Sequence, residues 1–286
     1  MSGILLALLA AVCWGSIVLV GNKLGGDAYS QTLGTTVGAL IFSIVIYFFT
    51  TPSLSLSIFI IGMISGFLWS IGQRNQFSAV KYLGVSKTVP LSTGMQLVAT
   101  SLTGVLVFKE WSTTVTVIIG VIAIALIITG VIMTTVEDKK QKDQEENQQT
   151  KRGLLILLLS TAGYLGYVVI IRWYEVDGWS AILPQAIGMM IGGLLLTFRH
   201  NPFNTYAVRN ILTGLIWAVG NLGLLLSLPK IGVATSFSLS QTGIIISTLG
   251  GIFLLGEKKS KRQMTFVVAG SVLIIIGGVM IGFTKQ

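Results

Sequence analysis

The chain has 286 residues, of which 52% are hydrophobic and only 10% are charged, and its mean hydropathy is +0.84. A soluble domain carries about 25% charged residues, so this composition cannot cover a water-exposed surface and excludes a soluble protein. The formal net charge of +9 would favour nucleic-acid binding in a soluble protein. In a membrane protein basic residues at helix ends and in loops orient the chain, so we expect no nucleic-acid partner.

Apolar segments long enough to cross a bilayer, which takes about 20 residues, occur along the whole chain. They lie at about 3–22, 30–50, 56–78, 87–108, 113–135, 153–173, 180–198, 208–228, 233–255 and 264–284. We therefore predict an all-α membrane protein with ten transmembrane helices and the lipid bilayer as its surroundings.

The loops between these segments differ in charge. One set of alternate loops holds 15 of the 19 Lys and Arg residues, and the other set, with the C-terminal tail, holds only Lys109, Arg172, Lys230 and Lys285. Basic residues collect in cytoplasmic loops. The asymmetry predicts a multi-pass protein with both termini outside.

The longest hydrophilic stretch is VEDKKQKDQEENQQTKR, at 136–152. It has no aromatic residue and its charges are balanced, which is typical of a solvated linker. We predict a cytoplasmic linker at 137–152 that separates a first five-helix repeat, 1–136, from a second, 153–286.

The two halves resemble each other in sequence. GFLWSIGQ at 66–73 aligns with GLIWAVGN at 214–221, and Glu110 aligns with Glu257. An odd number of helices per half inserts the second half upside down, so we predict two inverted five-helix repeats. Inverted repeats are common in secondary transporters, whose substrate site lies near the membrane midplane. The alternative is an ancestral duplication that is retained for packing alone.

Polar side chains inside a bilayer are costly and usually turn toward the protein interior. Several here recur at helical spacing, for example Trp69, Gln73 and Gln76 in the third segment and Ser92 and Gln96 in the fourth. The candidate substrate-binding residues are Trp14, Gln31, Trp69, Gln73, Gln76, Ser92, Gln96, Tyr164, Tyr167, Gln185, Trp217, Asn221, Ser238 and Gln241.

These residues are amides, hydroxyls and aromatic rings. Amides both donate and accept hydrogen bonds, which suits a neutral ligand rich in hydroxyl groups, and an indole offers an apolar face for a pyranose ring. The set predicts a neutral monosaccharide as ligand and no cofactor or metal. Interhelical hydrogen bonding is the alternative role for the amides.

Glu110 and Glu257 lie at the ends of predicted helices, beside basic residues. We expect a mainly structural role for both, and proton coupling is the alternative. A membrane enzyme would need a nucleophile, an acid–base pair or a metal cluster. With one His, one Cys and no clustered carboxylates in the apolar segments, we expect no enzyme and no catalytic residues.

Several motifs resemble a known family. They are WGS at 14–16, GGDAYSQTLGTTVG at 25–38, GVSKTVPLSTGMQLV at 84–98, KEW at 109–111, LPQAIGMMIGG at 183–193 and SLSQTG at 238–243. They are similar to the glucose/ribose porter family of the drug/metabolite transporter superfamily, and the similarity covers essentially the whole chain.

This resemblance implies ten helices, location in the cytoplasmic membrane and sugar uptake driven by the proton gradient. The stretch 84–96 has the form associated with glucose rather than ribose. The alternatives are ribose uptake, a sugar facilitator that does not use protons, and an exporter of small metabolites. No acidic residue lies in the middle of an apolar segment, so the sequence identifies no obvious proton carrier.

Overall fold

The computed structural model describes residues 2–109, 111, 113–134, 136, 144–231 and 239–284. In this part of the chain the regular structure is helical, with no strand. The elements are α1 (Ser2–Leu24), α2 (Ala28–Thr50), α3 (Leu56–Leu83), α4 (Val85–Leu106), α5 (Thr114–Thr134), α6 (Gln144–Trp173), α7 (Gly178–Thr197), a 3-10 helix (Phe198–His200), α8 (Thr205–Arg209), α9 (Ile211–Ile231), α10 (Ile244–Phe253) and α11 (Lys261–Gly282).

Among the described residues, nine helical segments are long and apolar enough to cross a membrane, with α8 and α9 together forming one of them. The prediction of an all-α, multi-pass membrane protein is confirmed. The predicted ninth crossing, 233–255, falls partly on residues that are not described, and its described part, Leu239–Phe253, is a shorter apolar helix. Ten crossings stay a prediction.

Large apolar side chains cover the outside of the bundle. Leu5 is 63% exposed, Leu155 is 62% exposed and Phe49 is 83% exposed. A contiguous apolar surface of this kind is unfavourable in water. Helices satisfy their own backbone hydrogen bonds and can therefore present such a surface to lipid.

Several helices begin with a polar residue that caps their first turn. The carboxylate of Asp27 accepts the Ser30 N–H at the start of α2, and Asp177 does the same for Ser180 at the start of α7. Such caps satisfy N–H groups that have no partner inside the helix. Helix α4 differs, because its N-cap is Gly84, which has no side chain that could accept a hydrogen bond.

Two helix bounds differ from those predicted. Helix α6 begins at Gln144, inside the predicted linker 137–152, because 144–152 is rich in the strong helix formers Gln, Glu, Lys and Arg. The predicted helix 208–228 is divided at Asn210. The Asn210 amide donates to the carbonyls of Gly25 and Tyr206 at 3.1 and 2.9 Å, which ties this break to the end of α1.

Close helix packing depends on small residues. A Cβ atom on Gly130 of α5 would lie 2.5 Å from the Gly270 carbonyl oxygen of α11, and a Cβ on Gly270 would lie equally close to the Gly130 carbonyl. Because glycine has no side chain, the two helix backbones can approach closely. The van der Waals packing that results is a main source of helix association in membranes. The same kind of contact joins α3 to α7 at Gly66 and Gly188.

The two halves of the chain are interleaved. Helix α3 packs on α6 and α7 of the second half, while α9 packs on α1 and α2 of the first half. Helix α4 packs on α10, and α5 packs on α11. The polar faces of α1, α3, α4, α6 and α9 consequently meet at the centre of the bundle.

Candidate functional site

A large cavity occupies this centre in the described part of the chain. Its volume is about 900 Å³, which is within the range of about 300–1,000 Å³ that is typical of small-molecule sites. Its polar and aromatic lining residues are Trp14, Trp69, Gln73, Gln76, Thr93, Gln96, Thr100, Phe108, Tyr164, Tyr167, Arg172, Glu175, Trp217, Ser240 and Gln241.

The cavity extends toward one end of the bundle only. Its lining includes Phe108 just after α4, Arg172 at the end of α6, and Gly282 at the end of α11. We call this end the open face and the opposite end, where α4 begins, the closed face. Arg172 lies over the Phe108 ring at 5.0 Å, and Glu175 follows at the same mouth.

An apolar plug separates the cavity from the closed face. It is formed by Val18 and Leu19 of α1, Val85 and Val89 of α4, and Leu255, which follows α10. Val18 and Val89 also line the cavity floor. The first four of these side chains are at least 92% buried, so among the described residues the plug closes this end of the cavity.

Four polar side chains along one wall form a continuous hydrogen-bond chain. The Tyr164 hydroxyl donates to Gln73 Oε1 at 2.8 Å, and the Gln73 amide nitrogen donates to Gln76 Oε1 at 3.4 Å. The Gln76 amide nitrogen donates in turn to Ser92 Oγ at 2.9 Å. Since these residues belong to α6, α3 and α4, the chain joins three helices around the cavity.

Ser92 is the end point of this chain and holds a second amide. The Gln96 amide nitrogen donates to Ser92 Oγ at 3.0 Å. Ser92 itself is fully buried and does not line the cavity, whereas both amides that contact it do. Ser92 therefore fixes the orientation of two side chains that face the cavity.

Aromatic rings form a further part of the lining. Trp69 and Trp217 lie with ring centroids 5.1 Å apart, and Trp69 meets the edge of Tyr164 at 6.3 Å. The indole N–H of Trp14 donates to the Trp217 carbonyl at 3.3 Å. These contacts join the three indoles, which present apolar surface to the same cavity as the amides.

Nine of the predicted site residues line this cavity, and the structure brings them together from five helices and the segment before α10. They are Trp14, Trp69, Gln73, Gln76, Gln96, Tyr164, Tyr167, Trp217 and Gln241. Asn221 is half-buried on α9 and does not line it. Ser238, like Glu110, lies outside the described residues.

Two further predicted residues are buried and bond to protein groups, but do not themselves line the cavity. The Gln31 amide donates to the carbonyls of Gly21 and Gly26, at 3.0 and 3.2 Å, and so caps the end of α1. The Gln185 amide donates to Ser65 Oγ at 3.1 Å. Ser65 donates to the Tyr167 carbonyl at 2.8 Å, so Gln185 supports a cavity residue from behind.

Sequence reasoning missed several lining residues. Thr93 and Thr100 lie three residues before and four residues after Gln96, so helical spacing could have selected them. Thr100 also donates to the Gln96 carbonyl at 2.8 Å, as Thr in membrane helices often does. Arg172 lies in the last turn of α6 and Glu175 follows that helix, and neither belongs to a periodic polar face in the sequence.

The chemistry of the cavity follows from this arrangement. Its centre offers amide and hydroxyl groups that donate and accept, next to flat apolar rings, and its charged lining residues, Arg172 and Glu175, lie at the mouth. Such a surface suits a neutral molecule that carries many hydroxyl groups and has an apolar face.

Known proteins match this chain over nearly its whole length. A family model described as "Sugar transport protein" matches residues 5–284. The "Glucose uptake protein GlcU" of Bacillus subtilis (strain 168) is 62% identical over 282 residues, covering 99% of this chain and 98% of that protein. The "Probable glucose uptake protein GlcU" of Priestia megaterium is 60% identical over 284 residues, covering 99% of each chain.

The fold also has a counterpart among solved structures. One crystal structure has a TM-score of 0.64 with 14% sequence identity, covering 99% of this chain and 98% of that one. The fold is therefore shared beyond the range of clear sequence similarity. Together with the family match over residues 5–284, the relatives show that this chain belongs to the sugar transport protein family.

Proposed function

We propose that this protein is a secondary transporter that takes up a neutral monosaccharide across the cytoplasmic membrane, and that this sugar is glucose. The observation that carries the proposal is the convergence of Gln73, Gln76, Gln96 and Gln241 on one cavity with three indoles. Amides exchange hydrogen bonds with hydroxyl groups, and indole faces cover the C–H face of a pyranose ring.

The choice of glucose rests on the relatives and on the sequence. Proteins named as glucose uptake proteins are about 60% identical over nearly the full length of this chain. The stretch 84–96 supplies Thr93 and Gln96 to the cavity lining. Ribose is the competing substrate, because it offers similar hydroxyl groups on a smaller ring.

We propose that the chain consists of two inverted five-helix repeats, 1–136 and 153–286. The pattern of helix contacts supports this: α3 packs on α6 and α7 as α9 packs on α1 and α2. Trp69 and Trp217, which occupy aligned positions in the two halves, face each other in the cavity. Each half then contributes five helices, which gives ten in total. The stretch 137–152 joins the two halves on the cytoplasmic side.

The charge asymmetry of the loops supports a topology with both termini outside. The C-terminal end of α11 lies at the open face. The cavity would then be accessible from outside, and the apolar plug would close the cytoplasmic side. Uptake requires a second state in which the plug is open and the mouth is closed.

Proton symport is the proposed energy source, with facilitation as the alternative. In proteoliposomes, an imposed inward proton gradient should drive sugar above its outside concentration. Sugar that only equilibrates, whatever the gradient, would identify a facilitator. Glu175 lines the cavity mouth, while Glu257 is engaged by the backbone of α4, which supports a structural rather than a proton-carrying role for Glu257.

The site is tested by uptake of labelled glucose, competed by ribose, in a host that lacks its own sugar uptake systems. Gln73→Ala, Gln96→Ala and Gln241→Ala should each reduce uptake at least several-fold, since an unmatched ligand hydroxyl costs about 1–3 kcal/mol. Thr103→Ala is the control, because its hydroxyl donates to Ala99 of its own helix at 2.9 Å. Normal uptake by all three amide variants would place the site elsewhere.

A further inference from the structure

Glu257 makes an unusual contact with the start of α4. Its Oε1 accepts the Val85 N–H at 2.5 Å and the Ser86 N–H at 3.3 Å, while its Oε2 accepts the Ser86 hydroxyl. Glu257 lies in the loop between α10 and α11, 172 residues away from Val85. The carboxylate therefore joins the second half of the chain to a helix of the first.

The sequence leaves the start of α4 open to this contact. The N-cap residue Gly84 provides no side chain, so the first N–H groups of α4 have no local partner. By contrast, the caps of α2 and α7 are Asp27 and Asp177, three residues before the Ser30 and Ser180 that they contact. A negative charge at this end also interacts favourably with the helix dipole.

Two glycines make room for the carboxylate. A Cβ atom on Gly84 would lie 2.9 Å from Glu257 Oε1, and a Cβ on Gly251 would lie 2.8 Å from the Ser86 nitrogen. Gly84 also has φ +75°, a conformation that other residues adopt only with strain. The contact is thus part of a close fit between α4 and the end of α10.

This contact lies directly beside the plug that closes the cavity. Val85, whose N–H it holds, is 1% exposed within the plug, and Leu255 is two residues before Glu257. One to three turns further along α4, Val89, Thr93 and Gln96 line the cavity. In the opening that we propose, the start of α4 separates from Leu255, and this separation breaks the hydrogen bonds of Glu257.

We infer that Glu257 is a positioning residue that holds the closed face shut. In this role, which rests on the proposed transport function, it stabilises the state whose cavity is accessible from the open face. The contact with Val85 and Ser86, here called the Glu257 latch, must form and break once in every transport cycle. It sets the balance between the two states without touching the sugar.

The balance can be measured by the reaction of two single cysteines with a water-soluble maleimide. In purified protein carrying Cys13→Ala, Thr100→Cys reports the cavity and Val80→Cys reports the plug side, where Val80 packs partly buried. Purified protein in nanodiscs exposes both faces to the reagent, so the result does not depend on membrane orientation or on the identity of the sugar.

Glu257→Gln keeps the size of the side chain but replaces charge-assisted hydrogen bonds with weaker neutral ones. The ratio of the Thr100→Cys rate to the Val80→Cys rate should fall by about tenfold. Ser86→Ala, which removes only one of the three donors, should lower this ratio by about two- to threefold. Glu257→Gln should also lower the Vmax of uptake more than it raises KM.

Asp27→Asn is the matched control. Asp27 accepts the N–H and hydroxyl of Ser30 at 2.8 Å each, which is the same chemistry made locally within one helix. This variant should lose stability without changing the ratio of rates. An unchanged ratio in Glu257→Gln with a lowered melting temperature would overturn the latch and leave only a structural cap.

If Glu257→Gln does not fold, Ser86→Ala carries the test, and an unchanged ratio in that variant overturns the latch equally. Failure of the proposed transport function would appear separately, as absence of sugar uptake by the wild-type protein. The labelling ratio is measured without sugar and would still report whether Glu257 controls the two faces.

Discussion

Replacing Ser92 by Ala tests whether a buried residue that does not line the cavity affects how tightly the sugar binds. Ser92 is fully buried, and its hydroxyl oxygen accepts the amide nitrogens of Gln76 and Gln96 at 2.9 and 3.0 Å. The substitution removes one oxygen and leaves the backbone of α4 unchanged. Both amides lose the acceptor that orients them toward the cavity.

The size of the effect follows from this geometry. Because Gln76 and Gln96 line a cavity of about 900 Å³, water can replace the lost acceptor, so the fold loses little stability. Sugar binding must then immobilise two freed side chains, at about 0.5–1 kcal/mol each. The total of about 1–2 kcal/mol corresponds to a rise of about 5- to 30-fold in the KM of sugar uptake.

Uptake of labelled glucose over a range of concentrations measures KM and Vmax separately. Ser92→Ala should raise KM while Vmax stays within about twofold, and its melting temperature should stay close to that of the wild type. Thr103→Ala is the matched control on the same helix, since Thr103 donates only to its own backbone. A KM unchanged by Ser92→Ala would refute the view that Ser92 orients the amides.

Three further predictions concern topology, packing and the repeat. In a chain freed of its own cysteine, an impermeant thiol reagent on intact cells should label a cysteine at position 285 and miss one at Gln144; the reverse would contradict the predicted orientation. Gly66→Ala should lower the melting temperature, because the added Cβ would lie 2.7 Å from the Met189 nitrogen on α7. Overpacking of this kind costs about 1–3 kcal/mol. Normal stability would show that α3 and α7 can move apart at no cost. If the halves are inverted repeats, Glu110, which aligns with the latch carboxylate, should act at the opposite face. Glu110→Gln should then raise the ratio of cavity to plug labelling, and a fall in that ratio would contradict the repeat.

Much of the architecture could be predicted from the sequence alone. Long apolar runs fix the class of protein, because the cost of placing charges in lipid permits few other arrangements. Helical spacing correctly placed Trp69, Gln73 and Gln76 on one face of α3, and that face lines the cavity. The start of α6 at Gln144 was missed, because a polar helix that extends beyond the bilayer has no hydropathy signal.

What only the tertiary structure decided is the partner of each polar side chain. Gln96 and Ser92 lie four residues apart on one helix face, yet one lines the cavity and the other holds it from behind. Gln31 bonds to the end of α1, and Glu257 reaches a helix start 172 residues away. A polar group inside a membrane needs some partner, and a backbone carbonyl, another side chain or a ligand in a wet cavity all relieve the same unfavourable exposure to lipid. The sequence records that the partner is required, and only the packing of the helices determines which partner is present.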